Sequence, residues 1–194
     1  MGIREPDMAI SHATDPGLDT SYRRNTAGNT ADIWDEGWAV KKLIEHEGFR
    51  VDPYTDTRGF ITGGIGHKFT KEDFQNFDTK WSREEKTKYW EDRFNEDLAK
   101  AERNAIALSN KYNIPLSEKN LYVLTDMSFN LGNEGVGKFK NFLKNLGAGK
   151  TEDAILEMKQ VSKDDPTPSK WYKQVPNRVD SLVEILRSSN ESSR

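Results

Sequence analysis

Glu47 and Asp56 are the residues whose types and spacing best suit chemistry, and they lie in the stretch EGFRVDPYTDTRGFITGGIGH, residues 47–67. Two carboxyls in different surroundings can divide the work of a glycosidase: a neutral one donates a proton and a charged one activates water. Glu47 follows Val40, Leu43 and Ile44 at helical spacing, on an apolar face and at the C-terminal end of its helix. Burial and the negative end of the helix dipole both favour its protonated form. Asp56 opens Asp56-Thr57-Arg58-Gly59, which suits a type I turn. Solvent and backbone N–H groups there keep a carboxylate ionised. Taken singly, a Glu at a helix end is ordinarily solvated and an Asp in a turn ordinarily serves the turn. Together they say more, because a hairpin can fold Asp56 over Glu47. Thr62, on the returning strand, carries a hydroxyl that can orient a water, although a strand Thr is commonly there for β propensity. Gly63, Gly64 and Gly66 strip side chains from one edge, which suits either a flexible turn or the close approach of an extended ligand. His67 closes the stretch, and a lone histidine is more often an ion-pair partner than a base.

Other chemistries find little support. The chain has no cysteine, and its three histidines (His12, His46 and His67) show no HExxH-like spacing, so neither a metal nor another cofactor is expected. GGIG lacks the spacing and the strand–helix context of a phosphate fingerprint. A net charge of −3 and a pI near 5.7 give no electrostatic case for nucleic acid. No apolar run is long enough to cross a membrane, and the N-terminus lacks the apolar core of a secretory signal. The expectation is a soluble protein made in a cytoplasm and carried or released to any target outside it. At 194 residues, 34% hydrophobic and 31% charged, the chain suits one domain with a modest core, filled largely by five Trp and nine Phe.

The elements that must position these residues follow from periodicity and caps. Residues 1–33 are polar and aperiodic and read as a tail or docking segment; 34–188 form the folded domain; 189–194 are a short C-terminal tail. The helix from Asp35 ends at Gly48, a C′ glycine. Phe49–Ile65 reads as a β-hairpin, and residues 68–80 as irregular. Ser82 and Glu85 make a capping box that opens a helix running to about Tyr112, a rod of roughly 45 Å, long enough to join two lobes. Ser117 caps a helix whose interior, LYVLTDMSFNL, is apolar nearly all round and therefore central; Gly132 ends it. Phe139, Phe142, Leu143 and Leu146 mark another helix, stopping at Gly147. Thr151 caps the next, SKDDPTPSK is a loop, and the last helix starts at Pro176. The sum is an α+β fold: a small N-terminal sheet and a larger helical lobe joined by a long helix.

EHEG followed by PYTDTRGFITGGIGH resembles the phage-type lysozymes, the muramidases of tailed bacteriophages. Their pattern is a Glu-Gly at a helix end, Tyr-x-Asp-x-x-Gly, a Thr, and Gly-x-Gly-His. Here these are Glu47-Gly48, Tyr54, Asp56, Gly59, Thr62, Gly64, Gly66 and His67. DMSFNLGNEGVGKF and WYKQVPNRV continue the likeness, which covers about Trp38 to Leu186. The resemblance implies a lysozyme-like fold with Glu47 as general acid, Asp56 as the base that activates water, and Thr62 holding that water. It implies that Arg178 pairs with Glu47, that His67 braces to Asp97, and that Lys68 and Phe129 contact substrate. Glu157 and Phe142 align with two more contacts but differ in type. Gly63 stands where an aliphatic residue is usual, the stretch after His67 is shorter than in the best-known member, and SKDDPTP is an insertion.

The reaction so implied is inverting hydrolysis of the β-1,4 bond between N-acetylmuramic acid and N-acetylglucosamine in peptidoglycan, with carboxyls about 6.5–9.5 Å apart. Two alternatives stand beside it: a non-catalytic wall-binding or structural module on the same fold, and a lytic transglycosylase using one Glu. Within the family reading, a free endolysin is often basic, whereas this chain is acidic with a polar N-terminal extension. That favours a virion-associated enzyme acting on periplasmic peptidoglycan during infection, with phage structural proteins as partners of residues 1–33.

Overall fold

The computed structural model describes residues 36–56, 59–162 and 164–188. The segments 1–33 and 189–194, read above as tails, lie outside the described residues. The chain divides into two compact units. One is Val40–Phe94; the other comprises residues 95–188 with the first turn of the first helix, and the boundary falls inside one long helix.

In the first unit, α1 (Glu36–Glu47) buries Val40, Leu43 and Ile44, the apolar face expected of it. It ends at Gly48, which takes φ +70° and donates its N–H to the Ile44 carbonyl at 2.8 Å. The sheet is a three-stranded antiparallel meander of β1 (Arg50–Thr55), β2 (Ile61–Gly64) and β3 (His67–Lys68), not a two-stranded hairpin. The extra strand exists because the Ile65-Gly66 turn reverses the chain at once, aligning Gly63 with His67 and Thr62 with Lys68. Residues 68–80 are not irregular either: α2 (Lys71–Asn76) opens on a capping box in which Thr70 accepts from Asp73 N–H and Asp73 accepts in return. Asp at the third helical position does the work usually given to Glu or Gln, which hides the helix start from the usual capping pattern. The core of this unit is aromatic. Trp90 stacks on Phe77 at 4.9 Å between centroids, with Phe69 and Tyr89 edge-on to it.

α3 (Arg83–Tyr112) begins at the predicted box, with Ser82 N–H to Glu85 Oε2 at 2.8 Å and Glu85 N–H to Ser82 Oγ at 3.2 Å. It stops where Asn113 turns to φ +55°.

In the second unit, α4 (Glu118–Gly137) is capped by Ser117 and buries every residue from Asn120 to Ser128, as its composition demands. Gly132 (φ +71°, ψ 169°) breaks it, but the helix resumes to Gly137 rather than ending there. α5 (Lys140–Gly147) and α6 (Thr151–Lys159) follow; Lys150, not Thr151, occupies the N-cap of α6, without a side-chain bond. SKDDPTPSK is not a plain loop: it holds the end of β4 (Gln160–Ser162), all of β5 (Asp165–Pro168), which pairs with β4, and Ser169, the cap of α7 (Lys170–Gln174). Two prolines in β5 hide a strand from propensity reasoning, but an edge strand tolerates them. α8 (Pro176–Arg187) starts at the expected proline and buries Val179, Leu182, Val183 and Leu186.

Candidate active site

Glu47 ends α1 and is half-buried. Its carboxyl lies against the β2–β3 turn: a Cβ added at Gly66 would sit 2.9 Å from Glu47 Oε2. Gly66 also holds φ +68°, so the turn and the close approach both require glycine. Asp56 stands at the end of β1, at the mouth of the turn. Gly59 N–H donates to its carbonyl at 2.9 Å, and Phe60 N–H donates to its Oδ1 at 2.8 Å. This is turn chemistry that also fixes the direction of the carboxylate. Thr62 is buried in β2, with its hydroxyl 3.3 Å from the Phe60 carbonyl.

Tyr54 joins these groups. It pairs with Thr62 across the β1–β2 ladder, and the Arg50 guanidinium lies 4.3 Å from its ring centroid. Burial pushes its phenol above the ordinary value, and the negative charges of Glu47 and Asp56 add to that against the opposing pull of Arg50. The Tyr54 phenol thus feels the charge of both carboxyls.

The glycines serve a different purpose from the one their composition suggests. A Cβ at Gly63 would lie 2.4 Å from Trp90 Cζ2, and one at Gly64 would lie 2.9 Å from Trp90 Cβ. The space they open is filled by the indole of α3, not left for a ligand. The indole is in turn anchored by Nε1–H to the Val51 carbonyl at 2.7 Å. At Gly63, where an aliphatic residue is usual, Trp90 supplies the bulk.

A charged cluster at β3 is nearly silent in the sequence. His67 Nε2 lies 3.0 Å from Asp73 Oδ2, Thr70 donates to the same oxygen through N–H and Oγ, and Tyr89 donates to Oδ1 at 2.5 Å. Asp73 is completely buried. Burial raises its pKa, yet the donors Thr70, Tyr89 and His67 outweigh that and hold the carboxyl far below the usual range. Only the Thr-x-x-Asp spacing offered a clue.

The remaining candidates lie in the second unit. Arg178 is buried in α8 and donates Nε–H to Asp126 Oδ1 at 2.7 Å, while Tyr122 Oη lies 3.2 Å from the other oxygen. Nothing in the apolar run of α4 singles out Asp126 as the partner of Arg178. Asp97 accepts from Lys100 at 3.1 Å. Phe129 is half-buried near the end of the continuous part of α4. Glu157 and Phe142 help line a cavity of about 520 Å³ with Lys138, Phe139, Val161 and Lys170, so the inserted hairpin forms part of its wall. Among the described residues no group of acidic and histidine side chains has the arrangement of a metal site. No helix among them is long and apolar enough to cross a membrane.

A carboxyl at a helix end, a second one on a hairpin and a strand threonine, borne by a small sheet with a separate helical unit, define a lysozyme-like α+β protein. The family model for phage lysozyme matches residues 44–179, and the chain belongs to that family. It is similar to a protein described as "Probable T4-type lysozyme 2" from Dictyostelium discoideum, with 27% identity over 169 residues, covering 77% of this chain and 94% of the relative. Membership of the family makes the chain a lysozyme-type glycoside hydrolase with peptidoglycan as its substrate class.

Proposed function

We propose that the chain hydrolyses the β-1,4 bond between N-acetylmuramic acid and N-acetylglucosamine with inversion at the anomeric carbon. Glu47 protonates the leaving oxygen, Asp56 takes the proton of a water attacking the opposite face, and Thr62 holds that water. The carrying observation is geometric: the Glu47 carboxyl lies against the β2–β3 turn at Gly66, Asp56 is fixed at the mouth of the β1–β2 turn by Phe60 N–H, and Thr62 is buried in β2. The turn bonds of Asp56 support its part, since a carboxylate held by Phe60 N–H cannot swing freely. Lys68 contacts the glycan from β3, and His67 braces the sheet beside the site through its ion pair with Asp73.

Two measurements test the reading. Replacing Glu47 with Gln is expected to abolish lysis of permeabilised cells while leaving the circular dichroism spectrum unchanged; an active E47Q protein sinks the assignment. Proton NMR of early products should show the α-anomer at the new reducing end. The β-anomer contradicts inversion, and 1,6-anhydro ends seen by mass spectrometry would assign the chain as a transglycosylase instead.

The acidic chain, with a pI near 5.7, and the polar composition of residues 1–33 support docking on a phage particle rather than free release. Deleting 1–33 should then spare activity and abolish association with purified particles. Particles that never contain the protein would refute this part alone.

A further inference from the structure

Phe60 is a large apolar side chain left 52% exposed beside the candidate catalytic groups. Its place in the sheet shows where it faces. Tyr54, Thr62 and Lys68 are directly paired across β1, β2 and β3, so their side chains share one face. Phe60 precedes Thr62 by two residues and therefore lies on that face too. The Lys68 ammonium confirms it, sitting 4.6 Å from the Phe60 ring centroid. The backbone N–H of Phe60 donates to Asp56 Oδ1 at 2.8 Å, so the residue that bears the ring also fixes the carboxylate. A phenyl group in water at this position costs solvation and takes little part in the aromatic core built around Trp90.

We propose that Phe60, capped by Lys68, is a platform on which one N-acetylated pyranose of the glycan stacks. The C–H groups on one face of a pyranose are apolar and carry partial positive charge, which suits the negative face of an aromatic ring. Lys68 lies over the ring and offers donors to hydroxyl or acetamido oxygens at the sugar's rim. Phe60 is thus a specificity-determining residue acting through binding. The proposal rests on the muramidase reading of the same site.

The test is steady-state hydrolysis of soluble uncrosslinked glycan by Phe60→Leu, Phe60→Tyr and Lys68→Ala proteins, with thermal unfolding run alongside. Leu keeps an apolar side chain but has no ring face, so F60L should raise KM about tenfold, with kcat and Tm nearly unchanged. F60Y, which keeps the ring, should stay within about twofold of the parent KM. The F60L/K68A double variant should lose less than the product of the single losses, because the two side chains form one platform. Unchanged KM in F60L overturns the proposal, as does a fall in kcat accompanied by a lowered Tm, which marks a structural role. An active E47Q protein in the same assay would instead overturn the muramidase reading, so the two failures are distinguishable.

Discussion

Gly63→Ala tests whether the glycines of β2 exist for Trp90. The new Cβ would lie 2.4, 2.6 and 3.0 Å from Cζ2, Cη2 and Cε2 of the indole. Carbon atoms in contact prefer about 3.5–4.0 Å, so the overlap is roughly 1 Å against a rigid ring. The ring has little freedom to retreat. Trp90 is 1% exposed, its N–H is tied to Val51, and Phe77 stacks on it. Overpacking of this kind costs about 1–3 kcal/mol, and displacing the indole from its carbonyl partner adds about 1 kcal/mol. The sum, about 2–4 kcal/mol, corresponds to a fall in Tm of about 4–16 °C for a chain of this length. Trp90→Leu removes all three colliding atoms and should cost about 2–4 kcal/mol through the cavity left behind. Combining it with Gly63→Ala lets the new methyl occupy part of that cavity. The double variant should therefore be at least about 1 kcal/mol more stable than the sum of the single losses. Urea unfolding followed by circular dichroism measures all three. Strictly additive losses, or a Gly63→Ala protein as stable as the parent, would refute the claim that the indole dictates the glycine.

Two further expectations concern the site and its support. Gly66→Ala places a methyl 2.9 Å from Glu47 Oε2 on a residue at φ +68°. The left-handed backbone should cost about 1–2 kcal/mol, and displacement of the carboxyl should lower kcat about 100-fold, read by unfolding and by rate respectively. Asp73→Asn should destabilise the protein by about 2–3 kcal/mol at pH 7, since Asp73 accepts from Thr70, Tyr89 and His67. Because the folded-state pKa of Asp73 is depressed, its contribution is present above the unfolded value near 4 and lost as pH falls through the folded value. The gap between parent and D73N in urea titrations should narrow below about pH 4, and a gap constant down to pH 2 would contradict the network.

What the sequence determined by itself was local in origin. A capping box at Ser82 and Glu85, a C′ glycine after Glu47, a proline opening α8 and the all-round apolar run of α4 each encode their structure within a few residues. They survive folding because short-range geometry fixes them. The candidate residues Glu47, Asp56 and Thr62 stand out for the same reason, since they lie within one contiguous stretch of chain. Some local signals still failed. Asp73 in a capping box and prolines in β5 stood in forms that propensity assigns elsewhere, and backbone pairing overrode it.

Only the tertiary structure decided what fills space and what satisfies buried charge. Gly63 and Trp90 are 27 positions apart by number, and no rule of spacing links a strand glycine to an indole on a later helix. Asp126 and Arg178 lie 52 residues apart, yet the buried carboxylate of one orients the guanidinium of the other. Close packing and the cost of an unpaired buried charge are properties of the assembled interior. They select partners by proximity in space, which one chain read alone does not reveal.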